Sequence, residues 1–70
     1  MSRFYFHIRG PNHFGEDENG EVFANKKSAI AHAERIAHEL RVDPGYYYCS
    51  VIVVDERGTE IVQVPIATRH

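Results

Sequence analysis

The sequence predicts an α+β domain: an antiparallel sheet of about four strands with one amphipathic helix packed on one face, in the order β-β-α-β-β. Arg3 to Arg9 alternates apolar and polar residues with the period of a half-buried strand. Ala29, Ile30, Ala33, Ile36, Ala37 and Leu40 recur at helical spacing. After Pro44, two β-forming runs flank an Asp-Glu-Arg-Gly turn, the pattern of a hairpin.

In the first strand, Phe4, Phe6 and Ile8 share one face, and Arg3, Tyr5, His7 and Arg9 share the other. Gly10-Pro11-Asn12 then reverses the chain, because glycine permits positive φ, proline presets φ and asparagine bonds its own backbone. A short second strand, His13 to Glu16, pairs back on the first, and Asp17-Glu18-Asn19-Gly20 turns the chain again. Val22 and Phe23 form an extended approach to the helix. The Asp-Glu-Xaa-Gly form returns at Asp55–Gly58, which predicts one turn geometry used twice.

Asn25 is the expected N-cap, its side-chain oxygen accepting from a free N–H of the first turn. The helix should run from about Lys26 to Arg41, with Lys27, Glu34, Arg35, His38 and Glu39 toward solvent. Asp43-Pro44-Gly45 stops it, since the residue before proline is pushed out of the α region. Tyr46–Val54 and Thr59–Ile66 then read as the closing hairpin.

The strand over Tyr46–Val54 is apolar on both faces: Tyr48, Ile52 and Val54 on one, Tyr47, Cys49, Val51 and Val53 on the other. A strand of this kind is expected to be covered twice, and one helix covers one face. The expectation is a homodimer or other homo-oligomer whose interface includes Tyr47, Val51 and Val53. The alternative is that these residues are exposed β-formers.

Seventy residues make a single domain, 1–70, with a core too small for much spare stability. Cys49 is the only cysteine, so neither an internal disulfide nor a cysteine-based zinc site is available. That leaves oligomerisation as the staple. The chain is 43% hydrophobic and 26% charged, the balance of an ordinary folded protein. Met1-Ser2-Arg3-Phe4 leads directly into the alternating strand, and no run approaches the roughly 18 apolar residues of a membrane span. A cytoplasmic location and no membrane association are expected. The net charge of −2 argues against general nucleic-acid binding, although Arg3, Arg9, Lys26 and Lys27 could form a local basic patch.

No chemistry-bearing constellation stands out. His32 and His38, six residues apart, lie roughly 120° from each other around a helix and cannot chelate as an i, i+4 pair would. His7 and His13 could meet across paired strands, and His70 is terminal. Glu16, Asp17, Glu18 and Glu21 lack the ligand ladder of a calcium loop. Ser2, Ser28, Ser50 and Cys49 have no nucleophile-elbow context, and no phosphate-binding glycine loop is present. Tyr46-Tyr47-Tyr48 invites comparison with base-stacking sheets, but Asp43, Asp55 and Glu56 are near in sequence and packing suits the tyrosines better. No catalytic residue, metal or cofactor is assigned.

The aromatic strand Arg3-Phe4-Tyr5-Phe6-His7-Ile8-Arg9, the Asp17–Gly20 turn, the capping Asn25 before the alanine-rich helix Ala29–Leu40 and the hairpin from Val53 through Gly58 to Val64-Pro65-Ile66 together resemble a family of short, mostly alphaproteobacterial proteins known as a domain of unknown function. The resemblance spans nearly the whole chain and implies the fold, with no activity to carry over. A weaker, fold-level likeness is to the partial-RNase-H-like small antitoxins. Their glycine-containing strand-to-helix signature is missing here. The functional expectation is a non-enzymatic binding or scaffolding module that self-associates through its sheet. The alternative is a regulatory, antitoxin-like module that binds a protein or nucleic-acid partner.

Overall fold

The computed structural model describes residues 1–11 and 13–66. Asn12 of the first turn and the terminal His70 lie outside the described residues. The elements are β1 (Ser2–Gly10), β2 (His13–Gly15), β3 (Glu21–Phe23), α1 (Lys26–Leu40), a 3₁₀ turn at Pro44–Tyr46, β4 (Ser50–Val54) and β5 (Glu60–Pro65). They form the expected α+β architecture, with five strands where about four were expected. The additional strand is β3, which arises because Val22 and Phe23 pair with β1 instead of merely approaching the helix.

All pairings are antiparallel, and the main sheet order is β2-β1-β4-β5. β1 is the longest strand, and two short strands share its outer edge: β3 along Ser2–Phe4 and β2 along Ile8–Gly10. Phe6 falls between them. Its N–H donates instead to Asp17 Oδ2 at 3.1 Å, so a side chain completes the edge where no strand does.

α1 starts where Asn25 Oδ1 accepts the Ser28 N–H at 2.9 Å, the cap expected from the sequence. Ala29, Ala33 and Ala37 are buried against the sheet, and their small side chains bring the helix close to β4 and β5. The core unites Phe4, Phe6, Ala29, Ala33, Ala37, Cys49, Val51, Val53 and Ile66. Gly10 belongs to this packing too. A Cβ there would overlap Cys49 Sγ and stand 3.2 Å from Cys49 Cα.

The register settles the two faces of the sheet. Phe6 opposes Val53 and Ile8 opposes Val51, so Val51 and Val53 point to the helix. Tyr5 opposes Val54, His7 opposes Ile52 and Arg9 opposes Ser50 on the face without a helix.

Both Asp-Glu-Xaa-Gly turns use the same device. Asp17 Oδ1 accepts the N–H of Asn19 at 3.2 Å, and Asp55 Oδ1 accepts that of Arg57 at 2.9 Å. Gly20 and Gly58 close them at φ of 69° and 85°.

Candidate functional site

Tyr46–Val54 is shorter as a strand than its β propensity suggests. Asp43 Oδ1 accepts the Gly45 N–H at 2.9 Å, and Pro44 begins a 3₁₀ turn in which Tyr46 N–H reaches Asp43 O at 3.0 Å. These local bonds compete with the ladder and hold the tyrosines ahead of β4. Tyr46 packs on the core, with its ring centroid 5.5 Å from that of His13 in an edge-on contact. Tyr47 and Tyr48 are exposed, at 39% and 66%. Tyr48 takes a left-handed backbone, φ 70°, a conformation that costs a residue with a Cβ.

Pro11, His13, Pro44, Gly45, Tyr47, Tyr48 and Cys49 surround an open cleft of about 390 Å³. Its walls are ring faces, prolines and backbone, with two exposed phenols at the rim. Such a surface can take up an apolar group and hydrogen-bond its polar edge. Cys49, which borders the cleft, is buried. Phe14, 62% exposed, stands on the opposite face of β2, its ring 6.3 Å from His7.

The interface expected from Tyr47, Val51 and Val53 does not exist as a surface. Val51 and Val53 are fully buried beneath α1, and only Tyr47 of the three reaches solvent. The outward apolar residues of β4 are Val54, half-buried, and Ile52, only 2% exposed. His7 and Gln63 flank Ile52 in register, and the Arg9–Glu60 ion pair, 3.4 Å between Nη2 and Oε1, crosses from β1 to β5 above it. The chain's own long side chains therefore cover the second face at Ile52.

The four basic residues do not converge. Arg3 donates to Asn19 O at 2.8 Å, while Arg9, six residues along the strand and about 20 Å away, pairs with Glu60. Lys26 and Lys27 occupy the helix layer, on the other side of the sheet from both arginines. Lys26 borders a separate cleft of about 320 Å³ together with Asp55, Glu56 and Arg57.

His7 and His13 also fall on opposite faces, since Phe14, the neighbour of His13, opposes Arg9. His7 Nδ1 is occupied as the acceptor of the Asp17 N–H at 3.0 Å. His32 lies between Phe6 and Phe23 with its Nε2 3.5 Å from Glu21 Oε1, whereas His38 is solvent-exposed beside Arg41. Among the described residues no group of three or more His, Cys, Asp or Glu is placed to hold a metal ion, and no helix is long and apolar enough to cross a membrane.

Asp17 is the most heavily engaged polar side chain of this region. Partial burial works to raise its pKa. The N–H donors of Gly20, Phe6 and Asn19, together with the His7 ring, outweigh that and hold the carboxyl below its ordinary 3.8. These contacts make the acidic turn a structural clamp on β1.

The arrangement that the family-like sequence order implied is thus present: aromatic strand, clamped acidic turn, capped helix and closing hairpin. A family model described as a domain of unknown function, DUF6894, matches residues 3–67. The chain belongs to that family. No curated protein and no solved structure matches it. In this DUF6894 member, two features had no clear sequence signal. Tyr48 looked like a strand residue, because nothing in a tyrosine run marks a left-handed backbone. The outer side of β5 looked like any other strand, because edge position is a property of the assembled sheet.

Proposed function

We propose that this chain is a non-enzymatic cytoplasmic binding or scaffolding module that self-associates through its sheet. What supports the reading is β5. Among the described residues it is paired on one side alone, and Val62 and Val64 beside its open edge are only half-buried. Unpaired edges of this kind are templates for another strand. The single, unpaired Cys49 agrees with a reducing compartment. The test is molar mass by sedimentation across about a hundredfold dilution. A dimer that persists through the series supports the reading, and a monomer at high micromolar concentration overturns it.

The aromatic cleft favours a second reading, a regulatory module that recognises a partner through Tyr47 and Tyr48. The engaged arginines and the net charge of −2 favour a protein over a nucleic acid in that role. Loss of binding to a purified, identified partner on Tyr48→Ser, with no change in oligomeric state, would support it. Binding to nucleic acid that weakens with salt would point to the other partner class.

A further inference from the structure

The edge of β5 is self-complementary, and its pattern follows from one hydrogen bond. Ile66 N–H donates to Cys49 O at 2.9 Å, which fixes the phase of the ladder: Val62, Val64 and Ile66 turn their backbone groups to β4. Gln63 and Pro65 then turn theirs outward. Ile61 is the extra residue of a bulge, since Val53 opposes Val62 and Val54 opposes Glu60. Pro65 has no N–H to offer, and outward is where a strand tolerates proline. Gln63, midway between these interruptions, presents both a donor and an acceptor in regular strand geometry.

Resting on the self-association reading above, we propose that two copies join antiparallel along β5 about a two-fold axis at Gln63, making one continuous sheet. Each Gln63 exchanges both backbone bonds with the Gln63 of the other copy. The bulge at Ile61 then meets Pro65, so the missing proline donor falls where the ladder is already broken. On the helix side, Val62 of one copy opposes Val64 of the other, bringing together the half-buried valines of both. An arbitrary strand would not place its own interruptions symmetrically about Gln63, and a second copy does. The opposite edge consists of three-residue strands, so the assembly closes at two copies.

Amide hydrogen exchange on the intact wild-type chain, read at high and low concentration, tests this directly. The expected result is that the Gln63 N–H exchanges at least about tenfold more slowly in the concentrated sample, while the exposed Arg57 N–H in the neighbouring turn does not change. Sedimentation of Gln63→Pro and Val64→Lys, each checked for folding by circular dichroism, should give monomers, and Tyr48→Ser should remain a dimer. A wild-type dimer with a Gln63 amide that stays fast at every concentration overturns the β5 pairing while leaving self-association standing. A wild-type monomer overturns both. If the variants fail to fold, the wild-type exchange result still decides.

Discussion

The Asp17 carboxylate accepts the backbone N–H of Phe6 at 3.1 Å, and by doing so stands in for a strand that β1 lacks between β2 and β3. Its other oxygen holds the N–H groups of Asn19 and Gly20, at 3.2 and 3.0 Å. Asp17→Asn keeps one carbonyl oxygen, but its amide then faces either Phe6 or the turn as a donor against donors. Leaving a part-buried N–H unpaired should cost about 1–3 kcal/mol, measured by urea unfolding. Asp17→Asn indistinguishable from wild type would show that water replaces the carboxylate.

The same clamp sets an acid limit. The Asp17 pKa is lower in the folded chain than its ordinary 3.8, so the unfolded chain binds the proton more tightly. Its stabilisation is therefore complete above the unfolded value and is lost as pH falls through the folded value. Unfolding free energy measured from pH 6 down to pH 2 should decline below about pH 4, and less steeply in Asp17→Asn. Parallel curves for the two proteins would remove Asp17 as the source.

At the other end of β1, a Cβ on Gly10 would overlap Cys49 Sγ. Gly10→Ala should destabilise by roughly 1–3 kcal/mol, and Cys49→Ala should recover part of that loss because it removes the sulfur but leaves Cys49 Cα at 3.2 Å. Thermal melts of both single variants and the double variant form the cycle. Strictly additive costs would mean that the strand ends move apart instead.

Local signals made α1 and β1 legible. The Asn25 cap, the alanine spacing and the alternation of β1 each act within a few residues, and the structure keeps all three. β3 was not legible as a paired strand, because Glu21–Phe23 is too short to show a period and its pairing depends on the distant Ser2–Phe4. The start of β4 was obscured for the opposite reason: the tyrosines favour a strand, and the Asp43 cap with Pro44 overrides them. Which face of β4 meets the helix could not be read from β4 itself, since both faces are apolar. It is set by the register that puts Phe6 against Val53 and Ile8 against Val51.

The cover over Ile52 makes a distinct prediction about charge. Arg9 and Glu60 are each about half exposed, so their ion pair by itself should contribute little. The Arg9 stem also lies on the same face as Ile52, which is 2% exposed, and is placed to shield it. Arg9→Ala should therefore destabilise more than Arg9→Met, which keeps an apolar chain over Ile52 and loses the charge. Unfolding in low and high salt separates the contributions. Equal losses in the two variants, abolished by salt, would assign the effect to the ion pair alone.

Tyr48 reverses the usual ranking of small residues. In ordinary strand or helix positions alanine is more stable than glycine, because glycine loses more conformational freedom on folding. At φ 70° an alanine Cβ meets its own backbone and glycine does not. Tyr48→Gly should therefore be more stable than Tyr48→Ala by about 1 kcal/mol in chemical denaturation. Because Tyr48 is 66% exposed, removing its ring should sacrifice little packing in either variant. If Tyr48→Ala is the more stable of the two, the left-handed turn is not maintained in solution, and the cleft between Tyr48 and Pro11 has a different shape there. If glycine is favoured, the chain keeps an aromatic side chain at a backbone position that penalises it, which is the pattern expected where the exposed ring has a contact to make.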